Sequence, residues 1–216
     1  MASRLRDAVA NGHIAPGDHV VESAIARDLG LSRAPVREAI RMLCQQGLMT
    51  QKPNRGFFVR QLSAGEIEDI FGLMVCLEVY ALQCYFDQPD GFALKELTTF
   101  LKTLKKNGRP KNLSQIARNE LHIHRLICGL SQNQAVIETF AEKVSVLSVM
   151  SSIVPAAAPT SVQLAEVFDP LIDAIMKMEK SEARRFLRAH LAKRSKDFVS
   201  CADGVMDTYT ASNTVA

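Results

Sequence analysis

The sequence predicts a mainly α protein in two parts, a small head with a β hairpin and an all-helical body. Three observations carry that expectation. Turn signals divide residues 1–62 into three short helices followed by two strand-like pieces. Beyond residue 62 the strand signals stop, and apolar residues recur only at helical spacing. Charge is uneven as well: residues 1–63 hold nine Lys/Arg against five Asp/Glu, while residues 64–216 carry a net −1. The expected organisation is a head at 1–62, a helical body at 63–200 and a loose tail at 201–216.

Composition narrows the function classes. The chain has 216 residues, 47% of them hydrophobic and 23% charged, enough for a packed core and unlike a disordered chain. No apolar run is expected to reach the roughly 18 residues of a membrane span, so no membrane partner is expected. The start, MASRLRDAVANGH, lacks the apolar run of a secretory signal. Cys44, Cys76, Cys84, Cys128 and Cys201 are odd in number and scattered, which argues against a disulfide scaffold. These features point to a soluble cytoplasmic protein.

In the head, Leu5, Ala8 and Val9 mark a first helix that Asn11-Gly12 ends. Ala15-Pro16-Gly17-Asp18 is a turn. Glu22 to Leu29 forms a second helix with Ala26 and Leu29 expected inward, stopped by Gly30. Ser32 is placed as an N-cap and Pro35 fits the first turn of a third helix. That helix carries an apolar stripe of Val36, Ala39, Ile40 and Leu43 and ends at Gly47. Leu48–Lys52 and Phe57–Arg60, joined by Pro53-Asn54-Arg55-Gly56, complete a winged helix-turn-helix pattern with a small β wing.

Opposite the apolar stripe stand Arg33, Arg37 and Arg41, at i, i+4 and i+8. One face packs and the other offers three guanidiniums, whose rigid forks match phosphates or the guanine edge in a major groove. Arg55, at the hairpin tip beside Gly56, can reach the adjacent DNA backbone or minor groove. A plain solvated face with Glu38 as intrahelical partner is the simpler account of the arginines alone. The turn, cap and wing in register favour double-stranded DNA.

The run Gly12-x-x-x-Pro16-Gly17, then Ile25-Ala26-x-x-Leu29-Gly30-Leu31-Ser32-Arg33-x-Pro35-Val36-Arg37-Glu38-Ala39-Ile40-Arg41, resembles the GntR family of bacterial transcription regulators. The likeness continues through Gly47-Leu48 and Arg55-Gly56-x-x-Val59. It implies operator contacts from Arg33, Arg37, Arg41 and Gly56, with Ser32 and Ala34 near phosphates and Ser23 on a further phosphate. Ala34 departs from the Thr common in the family.

The body opens on a capping box, Ser63-Ala64-Gly65-Glu66, followed by Ile67, Ile70, Phe71, Met74, Leu77 and Ala81 at helical spacing. Further helices are expected at Phe92–Lys106, Asn112–Leu130, Asn133–Met150 and Ser181–Ser200. Pro155 to Pro159 is expected to break the chain before a helix from Thr160 or Ser161 to Met178, which Pro170 should kink or delay. The sum is an antiparallel bundle of about six helices.

A GntR-type head on such a body resembles the FadR subfamily with its FCD ligand-binding domain. That resemblance implies a homodimer, a pseudo-palindromic operator and a small-molecule effector. It also implies a divalent metal such as Zn, Ni or Mn. On its pattern Glu120, His124 and His190 match metal ligands, but the middle His is replaced by Phe168, leaving two His and one carboxylate. Glu78 matches an effector-pocket Glu, while the Arg expected four residues earlier is Met74. The implied pocket of Met74, Glu78, Glu120, His124, Phe168 and His190 is more apolar than the pattern. It suits a carboxylate or a less polar compound. Two other readings stand beside a repressor: a metal-dependent hydrolase using Glu120, His124 and His190, and a regulator that binds DNA without any ligand. An enzyme is not expected, because the hydrolase leaves the arginine face and the wing without a role.

Overall fold

The computed structural model describes residues 1–108, 113–150, 154 and 160–213. The break expected at Pro155 to Pro159 lies outside the described residues.

The head contains α1 (Ala2–Ala10), β1 (His19–Val20), α2 (Glu22–Asp28), α3 (Arg33–Gln45), β2 (Met49–Lys52) and β3 (Gly56–Val59). The stripe on α3 is buried throughout: Val36, Ile40 and Leu43 are inaccessible and Ala39 nearly so. Leu5 and Val9 of α1 pack into the same core. Three expectations need correction. Leu29 is exposed, because α2 ends at Asp28 and only Ala26 turns inward. Ser32 occupies the N-cap of α3 with extended backbone, yet its hydroxyl makes no capping hydrogen bond among the described residues.

The third correction concerns the wing, which has three strands in the order β1-β3-β2, all antiparallel. His19 pairs with Phe58 and Val20 with Phe57, so the segment before α2 is tied to the wing. Two residues of strand carry too little periodicity to be read from sequence. Gly56 sits at φ 88°, and a Cβ there would stand 2.8 Å from His19 Nε2. The hairpin therefore needs glycine at this position for its own geometry.

The body runs α4 (Ala64–Asp87), α5 (Gly91–Asn107), α6 (Leu113–Gly129), α7 (Gln134–Val144), a 3-10 turn (Ser145–Met150), α8 (Ser161–Val167), α9 (Asp169–Met176) and α10 (Lys180–Asn213). Pro170 lies in the first turn of α9, and the chain bends at Phe168, where the expected single helix divides in two. Within the expected loose tail at 201–216, the described residues are instead helical through Asn213, and Ala202 is buried beside Phe198 on α10. α4 and α10 pack along each other at the centre, with Phe71 edge-on to Phe198 at 5.3 Å.

α4 also corrects an expectation, for by length and composition it is apolar enough to cross a membrane. Here its buried face, including Ile67, Phe71, Met74 and Leu82, belongs to the body core. The capping box forms as expected: the Ser63 hydroxyl accepts from the Glu66 N–H, and the Ser63 N–H donates back to Glu66 Oε2 at 2.9 Å. Arg60 adds a 2.6 Å ion pair to the same carboxylate.

These donors, the Ser63 backbone foremost, hold Glu66 down to a pKa of about 2. A depressed carboxylate stabilises the fold above its ordinary pKa and loses that contribution as pH falls toward the folded value. Because the side chain is 42% exposed, Glu66→Ala is expected to cost only about 1 kcal/mol at pH 6. Denaturant melts should show this gap closing between pH 5 and pH 2. A gap that stays constant over that range would remove the ionised carboxylate as its cause.

Candidate DNA interface and the polar centre of the body

Recognition-helix chemistry is concentrated in a groove of about 400 Å³ between α2, α3 and the wing. Ser23, Arg33, Arg37, Arg41 and Gly56 all line it. Ser32 and Ala34, at the start of α3, and Arg55, at the wing tip, are exposed outside it. Arg33, Arg37 and Arg41 keep 65%, 49% and 60% of their side chains in solvent.

The guanidiniums are not loose. Arg37 donates Nε to Glu22 Oε1 at 2.9 Å and Nη2 to Glu22 Oε2 at 2.8 Å, a two-pronged pair from α3 to α2. Arg33 stands 3.9 Å from the same carboxylate, and Arg41 pairs with Glu38 at 3.1 Å. The Arg37 hydrogen bond, aided by the charges of Arg37, Arg33 and Arg41, holds Glu22 below the usual carboxylate range. Glu22 was missed in the sequence because it lies 15 residues from Arg37, beyond any helical period. His19 and Gln51 also line the groove and carry no sequence signal of their own.

In the body the expected pocket residues do converge. Glu120 and His124 face inward from α6, His190 from α10 and Glu78 from α4, and all are buried or nearly so. Ligand atoms of Glu120, His124 and His190 lie within 4.8 Å of one another. Both oxygens of Glu78 stand 3.0 Å from His124 Nδ1. Burial alone would lower the basicity of His124, but the Glu78 charge and hydrogen bond outweigh it and raise the pKa. Burial likewise raises Glu78. His190 is pushed down to about 2 by burial and by the neighbouring His124, Arg194 and Lys193, so it is a neutral imidazole.

The sequence reading missed Arg194, one turn beyond His190 on the same face of α10. It is only 4% exposed, and it donates Nε to Glu120 Oε1 at 2.7 Å and Nη2 to Oε2 at 3.1 Å. Its Nη1 reaches Asp197 at 2.8 Å, and its plane lies 5.3 Å over Phe198. The i+4 spacing from His190 was the available signal. Phe168 is fully buried with its ring 5.5 Å from His124 and 4.9 Å from His190. Beside Met74, Glu120, His124 and Arg194 lies a cavity of about 20 Å³, room for one water.

A larger space lies where head meets body. A cavity of about 290 Å³ is lined by Arg6, Asp7 and Ala10 of α1 and by residues of α6, α7 and the 3-10 turn. Leu121, Phe140 and Val144 give it an apolar wall, with Arg6, Arg118 and Arg125 around them.

Fold and groove together define a winged helix-turn-helix protein with an all-helical second domain. The chain belongs to the gntR family of bacterial regulatory proteins: residues 1–59 match that family and residues 69–193 match the FCD domain. It is 30% identical over 135 residues to the HTH-type transcriptional regulator YdhC of Bacillus subtilis, spanning 61% of this chain and 59% of that one. A probable D-xylose utilization operon transcriptional repressor of Paenarthrobacter nicotinovorans is 26% identical over 200 residues, 89% of this chain and 86% of its own length. A GntR-type regulator structure from Rhodococcus sp. RHA1 superposes with a TM-score of 0.71 at 21% identity, covering 92% of this chain and 95% of that one. That likeness bears on the fold.

Proposed function

We propose that the protein is a cytoplasmic transcription regulator, a repressor, which binds a pseudo-palindromic operator as a homodimer. The observation that carries this reading is the groove in which Arg33, Arg37 and Arg41 stand beside the wing, since a helix presenting three arginine forks matches a major groove. A homodimer is supported by α4, whose outer side leaves Leu73, Cys76, Leu77, Tyr80 and Cys84 exposed or half-buried along one face. Two such faces cover each other in a two-fold pair. The five cysteines are free thiols, which fits a reducing compartment.

The effector is a small molecule with an apolar body and an anionic group, seated where α1 meets α6 and α7. The cavity there has apolar walls and arginines about it, whereas the cavity beside Met74, Glu120 and His124 measures about 20 Å³. Occupancy at this junction favours one head position over another, which is how a ligand changes operator affinity. That same small central cavity favours a second reading, a regulator that acts without an effector.

The test is fluorescence anisotropy with an operator selected from random DNA by the purified protein. Affinity falling steeply with salt, at two chains per duplex, is the expected result. Binding that is independent of salt, or of one chain only, would contradict the reading. In the same assay an apolar carboxylate such as octanoate should shift affinity in the native chain and not in Ala141→Trp, which fills the junction. Indifference of the native chain to apolar carboxylates would favour the ligand-free regulator.

A further inference from the structure

We propose that Arg194 takes the place of a metal ion at the centre of the body, its guanidinium closing Glu120, His124 and His190 into a metal-free site. The donor set does not fit a divalent cation. Both oxygens of Glu120, the one carboxylate among the three donors, already accept hydrogen bonds from Arg194, at 2.7 and 3.1 Å. A cation held by that carboxylate would lie against a guanidinium that is itself only 4% exposed, with little water to screen the repulsion. The fourth side is shut by Phe168, which offers no donor and touches both imidazoles edge-on or tilted.

Arg194 is built into this position. Phe198 lies beneath it, Asp197 accepts from its Nη1, and Glu120 accepts from its Nε and Nη2 in a planar fork. A planar guanidinium differs from a metal in consequence: it neutralises Glu120 without demanding donors from the two histidines. His190 Nε2 accordingly has no hydrogen-bond partner among the described residues, although it stands 3.8 Å from Glu120. His124 turns its Nδ1 to Glu78 instead. The inference concerns the body alone and does not depend on the DNA reading of the head.

The experiment is nickel titration of the full-length protein, read by elemental analysis after desalting and by calorimetry, with His124→Ala as the control for metal held elsewhere. The native chain is expected to retain no more nickel than His124→Ala. Arg194→Met keeps the bulk over Phe198 but frees Glu120, and should raise affinity for nickel about tenfold or more. Adding Phe168→His supplies a further donor and should bring retention to one ion per chain. About one ion in the native chain, lost in His124→Ala, overturns the proposal irrespective of how the variants fold. Nickel affinity unchanged in folded Arg194→Met and in the double variant overturns it as well.

Discussion

Arg37→Glu is expected to abolish retardation of operator DNA at concentrations where the native chain is saturated, a loss on the order of a hundredfold. Arg37 is the middle member of the row on α3, and Glu22 holds its fork in one orientation across the groove. Reversal removes the fork and sets a second carboxylate against Glu22 within the surface proposed to meet phosphate. Arg37→Gln, which lacks that repulsion, should lose less, about tenfold. The thermal transition should move little in both, because the pair is exposed on the arginine side and such pairs contribute little to stability. Unaltered affinity in folded Arg37→Glu would mean that α3 is not the helix in the groove. On the proposed reading phosphates compete with Glu22 for the Arg37 guanidinium, so Glu22→Gln should strengthen binding to DNA of any sequence.

Glu120→Ala is expected to lower stability by about 3–5 kcal/mol, the usual result of leaving one member of a buried ion pair alone. Arg194 would lose both hydrogen bonds to its buried carboxylate, while its Nη1 contact to the partly exposed Asp197 would remain. Replacing both partners, as in Glu120→Leu with Arg194→Met, should recover most of the loss, since an apolar pair of similar volume is often neutral. A double-mutant cycle in denaturant measures this directly. A loss below about 1 kcal/mol for Glu120→Ala would show the pair to be hydrated rather than buried.

The architecture was legible wherever one helical period or one local motif decides it. Val36, Ala39, Ile40 and Leu43 form the buried stripe of α3, and the Ser63–Glu66 box caps α4. Reading failed where structure depends on partners distant in sequence. β1 exists because two residues find β3, some forty positions on, and Arg37 is oriented by Glu22 in another helix. Leu29 was misplaced because a helix end decides which way its last side chain turns. At the body centre the converging residues were readable one by one. Their charge balance was not, because Arg194 lies outside the motif that drew attention to His124 and His190.

Arg60 spans the joint between head and body. One guanidinium reaches back to the Gly47 carbonyl at 3.4 Å and forward to Glu66 at 2.6 Å, while Leu62 beside it is buried. In a two-fold assembly each added base pair between half-sites carries the second half-site about 3.4 Å along the axis and about 35° around it. In the proposed dimer, a head that swivelled to follow would have to part Arg60 from Gly47 or from Glu66. On the dimeric reading proposed above, the distance between half-sites would become part of the address that the protein reads, alongside the letters within them.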